Sequence, residues 1–222
     1  MNGAAEVDQW DGGVGWVAHP EEYLQRTSHA ICGNDGVWLI DPIAGPGVEA
    51  IVDPLGQIEG VVVTLDRHRR DGETFASAHD VALHLSREPN EVADGFTCQI
   101  ESLDRFSAAT GFSVVQTVDL PGWREVALID DTTKTLLVGD ILGTAPYFSP
   151  RTEPLSVHPL LRLWPPRNAL CDLSPERILV GHGPGVMEHG TEALHDALNN
   201  ARRGIPRAWT NALTEFGRTI LR

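Results

Sequence analysis

The apolar positions of this chain come mostly in short β-branched runs, separated by turn residues, with helical spacing confined to the C-terminal end. Val61, Val62 and Val63 form the most compact run; Thr64 follows, then Leu65 and a crowd of charged side chains, Asp66, Arg67, His68, Arg69, Arg70 and Asp71. Three successive valines favour a sheet, and a polar cluster directly after a buried strand is where α/β-type sheets commonly place their chemistry. The pattern predicts a strand delivering an active-site loop.

The rest of the chain follows in order. A short first strand is expected around 15–18, and a β-hairpin over 28–32 and 37–41, because Gly33, Asn34, Asp35 and Gly36 between them tolerate the positive φ of a tight turn. A short helix is expected over 48–52, closed by Asp53 and Pro54. Beyond the charged loop, 73–79 suits a helix with Asp71 standing at its N-cap, and 81–85 suits a strand. Residues 90–111 show no clean period, and 112–118, 124–130 and 135–138 read as three more strands. Six prolines between 144 and 168 exclude long helices and suggest an ordered wrap or lid. A last strand is expected at 177–180, followed by two helices: Leu194, Ala197, Leu198 and Ala201 stripe the first, and Trp209, Ala212, Leu213, Phe216 and Ile220 the second.

Composition narrows the setting. A chain of 222 residues, 41% hydrophobic and 22% charged, suits one domain over 1–222. Glu6, Asp8 and Asp11 stand where a signal peptide needs basic and then apolar residues, and there is no long apolar run, so a cytoplasmic location is expected, with no membrane partner. The net charge of -14 argues against nucleic acid and anionic membranes, leaving a small-molecule substrate or a protein as partner. Cys32, Cys98 and Cys171 show no paired spacing and are expected as reduced, mostly buried thiols. Six tryptophans would supply an interface if exposed.

Three strand ends finish in residues able to bind a metal: His68 with Asp71, then Asp140, then His182. Together with Leu39-Ile40-Asp41, the valine strand, Leu136-Leu137-Val138-Gly139-Asp140 and Ile178-Leu179-Val180-Gly181-His182-Gly183, this order resembles the metallo-β-lactamase fold across most of the chain. In that family the corresponding stretches lead to a His-x-His-x-Asp-His loop, a Gly-His element, a bridging Asp and a terminal Gly-His-Gly. The resemblance implies an α+β fold, a four-layer αββα sandwich, and a centre where two cations, usually zinc, activate water for hydrolysis.

The motif residues depart from that pattern. Leu65, Arg67, Arg69 and Arg70 stand where three histidines and an aspartate belong, and Trp123 follows Gly122 where histidine is expected. A guanidinium offers only donors and cannot ligate a metal. What remains is His68, Asp140, His182 and, with the loop slid by a residue, Asp71. Two arrangements stay open: one divalent ion, zinc, iron or manganese, with waters completing its shell; or no metal, with Arg67 or Arg70 pairing bidentately with Asp140. Arg67 and Arg70 are also candidates for binding an anionic substrate group, and Asp71 is as readily an N-cap as a ligand. The other histidines, His158 among them, read as structural or surface residues. There is no Gly-x-Ser-x-Gly elbow and no phosphate loop. Two functions follow: a hydrolase of a small substrate with a reduced site, enclosed by 144–168, or a non-catalytic binding or interaction module on the same scaffold.

Overall fold

The computed structural model describes residues 3–86, 95–148, 153–203 and 205. Its first sheet runs in chain order: β1 (Ala5–Trp10), β2 (Gly13–Val17), β3 (Thr27–Cys32), β4 (Val37–Ile40), β5 (Ile58–Val63), β6 (Leu83–Leu85) and β7 (Ile100–Ser102). The first four strands are antiparallel neighbours, and β4 to β7 pair in parallel. The second sheet has the order β13-β10-β9-β8, from β8 (Ser113–Leu120), β9 (Trp123–Asp130), β10 (Thr135–Val138) and β13 (Arg177–Val180). A small ribbon, β11 (Leu142–Gly143) with β12 (Ser156–Val157), lies between β10 and β13 in the chain.

The period of two within each strand explains the layering. Val61 and Val63 point to an outer apolar layer with Val48 and Val52 of α1 (Val48–Val52) and Ala76 of α2 (Gly72–His79), while Val62 points to the space between the sheets. Trp38 and Ile40 join Val62 there, facing Val126, Leu128, Leu137 and Leu179 of the second sheet. Phe106 of α3 (Asp104–Thr110) seals the edge of this layer. Leu136, Val138, Ile178 and Val180 face the far side, against Leu170 of α4 (Arg167–Leu170) and Leu194 and Leu198 of α5 (Gly190–Asn200). Strands covered on both faces read as unbroken apolar runs because neither face can be polar. The result is an αββα sandwich.

Several expectations shift. The N-terminal residues add a full strand, β1, returning through Asp11 and Gly12 into β2. Residues 100–102 and 104–110 form β7 and α3 where no period is visible, and the strand expected over 81–85 keeps only its last three residues. The 144–168 segment is ordered where described, with Arg162 fully buried and donating to the Phe148 carbonyl and Glu153. Cys32 and Cys171 are exposed and Cys98 half-buried, because each falls at a strand end or in a loop; all three are free thiols. Trp16, Trp38 and Trp123 are core residues, which leaves Trp164, 75% exposed, as the open indole among the described residues. The second C-terminal helix lies outside the described residues. Among them, no helix is long and apolar enough to cross a membrane.

Candidate metal centre

The C-terminal ends of four strands meet at one rim of the sandwich, two from each sheet. From the first sheet, β4 ends in Asp41, whose backbone is left-handed (φ 48°), a conformation Asp tolerates better than most residues. Its Oδ1 accepts the Thr64 amide at 2.8 Å, and its Oδ2 accepts the Thr64 hydroxyl and lies 3.1 Å from His68 Nδ1. Asp41 thereby fixes the end of β5 and the first turn of the charged loop together. Burial alone would raise its pKa, but the His68 hydrogen bond and the charges of His68 and Arg70 hold it below the ordinary aspartate value.

From the second sheet, β10 delivers Asp140 and β13 delivers His182. Gly181 lets these ends touch: a Cβ there would meet the Gly139 carbonyl at 2.6 Å and His68 Cε1 at 3.0 Å. Asp140 Oδ1 then lies 3.0 Å from Nε2 of His68 and 3.0 Å from Nε2 of His182. The three ligand atoms fall within 4.8 Å of one another, all on buried residues. Both rings are committed through their other nitrogen, His68 Nδ1 to Asp41 and His182 Nδ1, at 2.9 Å, to the Leu24 carbonyl. A carbonyl can only accept, so His182 carries its proton on Nδ1 and turns the Nε2 lone pair inward. Such outer partners are what orient metal-ligating histidines. Despite the short contacts, Asp140 Oδ1 has no partner in hydrogen-bond geometry. Two imidazole nitrogens and a buried carboxylate oxygen converging at this spacing are a donor set that fits a divalent ion of the zinc or iron type.

The arginines divide. Arg70, also at positive φ (45°), runs beneath His68 and donates through Nη1 to the carbonyls of Thr27 (2.6 Å) and Asp41 (2.9 Å), and through Nη2 to Gly181 (3.0 Å). The same Nη2 is 3.2 Å from His68 Nε2. Burial lowers its pKa to about 10, so it remains charged at neutral pH. Arg67, 39% exposed, donates to Asp140 Oδ2 at 2.8 Å. The pairing expected as bidentate uses one nitrogen, and the guanidinium carbon lies over the Trp123 ring, 4.0 Å from its centroid, in a cation–π contact. Asp71 stands at the N-cap of α2 but caps nothing with its side chain: Oδ2 accepts the Ala44 amide at 2.8 Å, and the structure does not bring Asp71 to the other three candidates.

A buried glutamate, unremarked in the sequence, holds Asp140 in place. Glu125 of β9 accepts the amides of Gly139, Asp140 and Ile141 with Oε1 (3.0, 2.8 and 3.0 Å) and the Trp123 indole with Oε2 at 3.0 Å. Burial and the nearby Asp140 charge push its pKa up to about 7, against the pull of those N–H donors. Trp123 also packs edge-on against His158 (4.8 Å), which contacts Phe148 (5.2 Å), which lies 5.3 Å from His182. A continuous run of ring contacts thus leads from Trp123 to His182. Asp41 was legible as the polar end of an apolar strand; Glu125 offers only a lone acid in a strand pattern, and His158 no signal at all.

No family model matches the chain, and no curated protein matches it in sequence. Solved structures do match in three dimensions. A diflavin flavoprotein fragment from Nostoc sp. PCC 7120 aligns over 92% of this chain and 98% of its own, with TM-score 0.63 and 16% identity. A metallo-β-lactamase from Erythrobacter litoralis aligns over 91% and 98%, with TM-score 0.62 and 11% identity. The protein TTHA1623, in a di-iron-bound form, aligns over 77% and 93%, with TM-score 0.52 and 23% identity. This chain has the metallo-β-lactamase fold.

Proposed function

We propose that the protein is a hydrolase of a small substrate built around one divalent ion, with a guanidinium in place of the second cation. The observation that best supports this is the division of Asp140: Oδ2 takes the Arg67 guanidinium, while Oδ1 is left to the two Nε2 atoms. The carboxylate that the resemblance makes a bridge between two ions keeps one side for an ion and gives the other to an arginine.

His68, Asp140 and His182 would hold the ion, which would supply Lewis acidity and a bound water acidified toward neutral pH. Asp41 and the Leu24 carbonyl keep the two rings aimed. Arg67 steadies Asp140 with one nitrogen and is 39% exposed, so the substrate-binding role falls to it; Arg70 spends its guanidinium on protein acceptors. Elemental analysis of protein purified without added metal tests the reading: about one equivalent of zinc, iron or manganese is expected, removable by chelator, with hydrolytic activity lost in His182→Ala. Two equivalents would mean that Arg67 replaces nothing.

A second reading has its own observation. Arg70 Nη2 approaches His68 Nε2 at 3.2 Å and competes with an ion for that lone pair. If purified protein carries no metal and no hydrolase activity differs between wild type and His182→Ala, the chain is a metal-free binding module.

A further inference from the structure

His158 is 5% exposed, and its Nδ1 accepts the Leu160 amide at 3.2 Å. An acceptor at Nδ1 places the ring proton on Nε2, and burial, which depresses the pKa to about 4, keeps the ring neutral in that form. The Nε2–H donates to none of the described residues. Its ring stands edge-on to Trp123 at 4.8 Å and lies 5.8 Å from the ring of Tyr147. Tyr147 is half-buried, its phenol likewise unpaired among the described residues, and the charges of Asp140 and Arg67 act on both groups. Arg67, stacked on the same Trp123, uses one of its nitrogens on Asp140. Arg67 and His158 therefore share the Trp123 indole and Tyr147 packs on His158, a run of guanidinium, imidazole N–H and phenol O–H donors for which Asp140 Oδ2 is the one side-chain acceptor among the described residues.

We propose that Arg67, Tyr147 and His158 form an oxyanion subsite that takes a carboxylate or phosphate group of the substrate. The proposal deepens the one-ion reading and rests on it for charge: Asp41 and Asp140 are already matched by Arg67 and Arg70, and Glu125 is turned into backbone amides, so a divalent ion leaves positive charge for an anion to balance.

Calorimetric titration with inorganic phosphate and with acetate tests it, on wild type, Tyr147→Phe and His158→Asn, the last keeping the acceptor at Nδ1 while removing the Nε2–H. Metal content is measured on every sample. At least one anion should bind wild type, and each variant should weaken it roughly five- to tenfold, the worth of one hydrogen bond to a charged group, with metal content unchanged. Tighter phosphate assigns a phosphorylated substrate and tighter acetate a carboxylate. Should His158→Asn fail to fold, Tyr147→Phe carries the test. If neither anion binds, or if the folded variants bind as wild type does, the subsite is wrong even where the ion is present. Weakening in protein that carries no ion would leave the subsite standing and remove the one-ion reading.

Discussion

The two sheets treat the site differently. The second sheet supplies Asp140 on a short turn whose amides are tied down by Glu125, and His182 with its ring fixed by the Leu24 carbonyl. The first sheet supplies a loop whose arginines bring positive charge to the same place, Arg67 at Asp140 and Arg70 at His68, and whose His68 stands with Nε2 3.0 Å from Asp140 Oδ1. One half contributes a carboxylate and an imidazole; the other contributes an imidazole and two guanidinium groups. The difference teaches that a buried carboxylate held by one sheet can be met by a cationic side chain from the other.

The sharpest way to break this comparison is to remove its fixed side. Glu125→Ala leaves three buried amides and an indole N–H without an acceptor and should cost about 3–5 kcal/mol, read in urea or thermal melts, with metal content falling as Asp140 loses its position. A loss under about 1 kcal/mol would mean that water replaces the carboxylate and that the platform is not rigid. Next is Arg70→Met. It strips the charged donor from the carbonyls of Thr27, Asp41 and Gly181 and should cost about 2–3 kcal/mol, yet the ion should bind more tightly, because the competitor for His68 Nε2 has gone. Unchanged ion affinity would show that guanidinium and ion do not compete.

The smallest effect concerns a histidine in the first sheet away from the rim. His84, packed edge-on to Trp38 and donating from Nδ1 to the Ser102 carbonyl, has its pKa lowered by burial. Below pH about 6.5 the unfolded chain takes up this proton before the folded one does, so the stability His84 contributes is present above that pH and is lost as pH falls below it. His84→Asn should flatten the pH dependence of unfolding between about pH 7 and 5; an identical slope in the variant would assign the dependence to other groups.

The sequence made the doubly buried strands legible because their apolar runs are unbroken, and the strand ends legible because Asp41, Asp140 and His182 each interrupt such a run. Asp71 was ambiguous for a physical reason: a carboxylate at a helix start has amides within reach whether or not a metal is near, and here the Ala44 amide takes it. Glu125, Tyr147 and His158 were not legible as site residues. Their roles come from contacts between strands and loops far apart in the chain, which no local period encodes. Strand β7 and helix α3 escaped notice because both are short and only partly apolar on the faces they bury.

The Glu125 clamp has a wider consequence. A cluster of backbone amides around one turn is an anion receptor, and here the receptor is filled by the chain's own Glu125 side chain. The backbone of Asp140 is thereby wired to the body of the second sheet, while its carboxylate meets Arg67 and His68 of the loop across the rim. Backbone and carboxylate of Asp140 thus answer to different sheets: a change at Glu125 alters where the carboxylate stands, and a change in the loop of residues 65–71 alters what it meets.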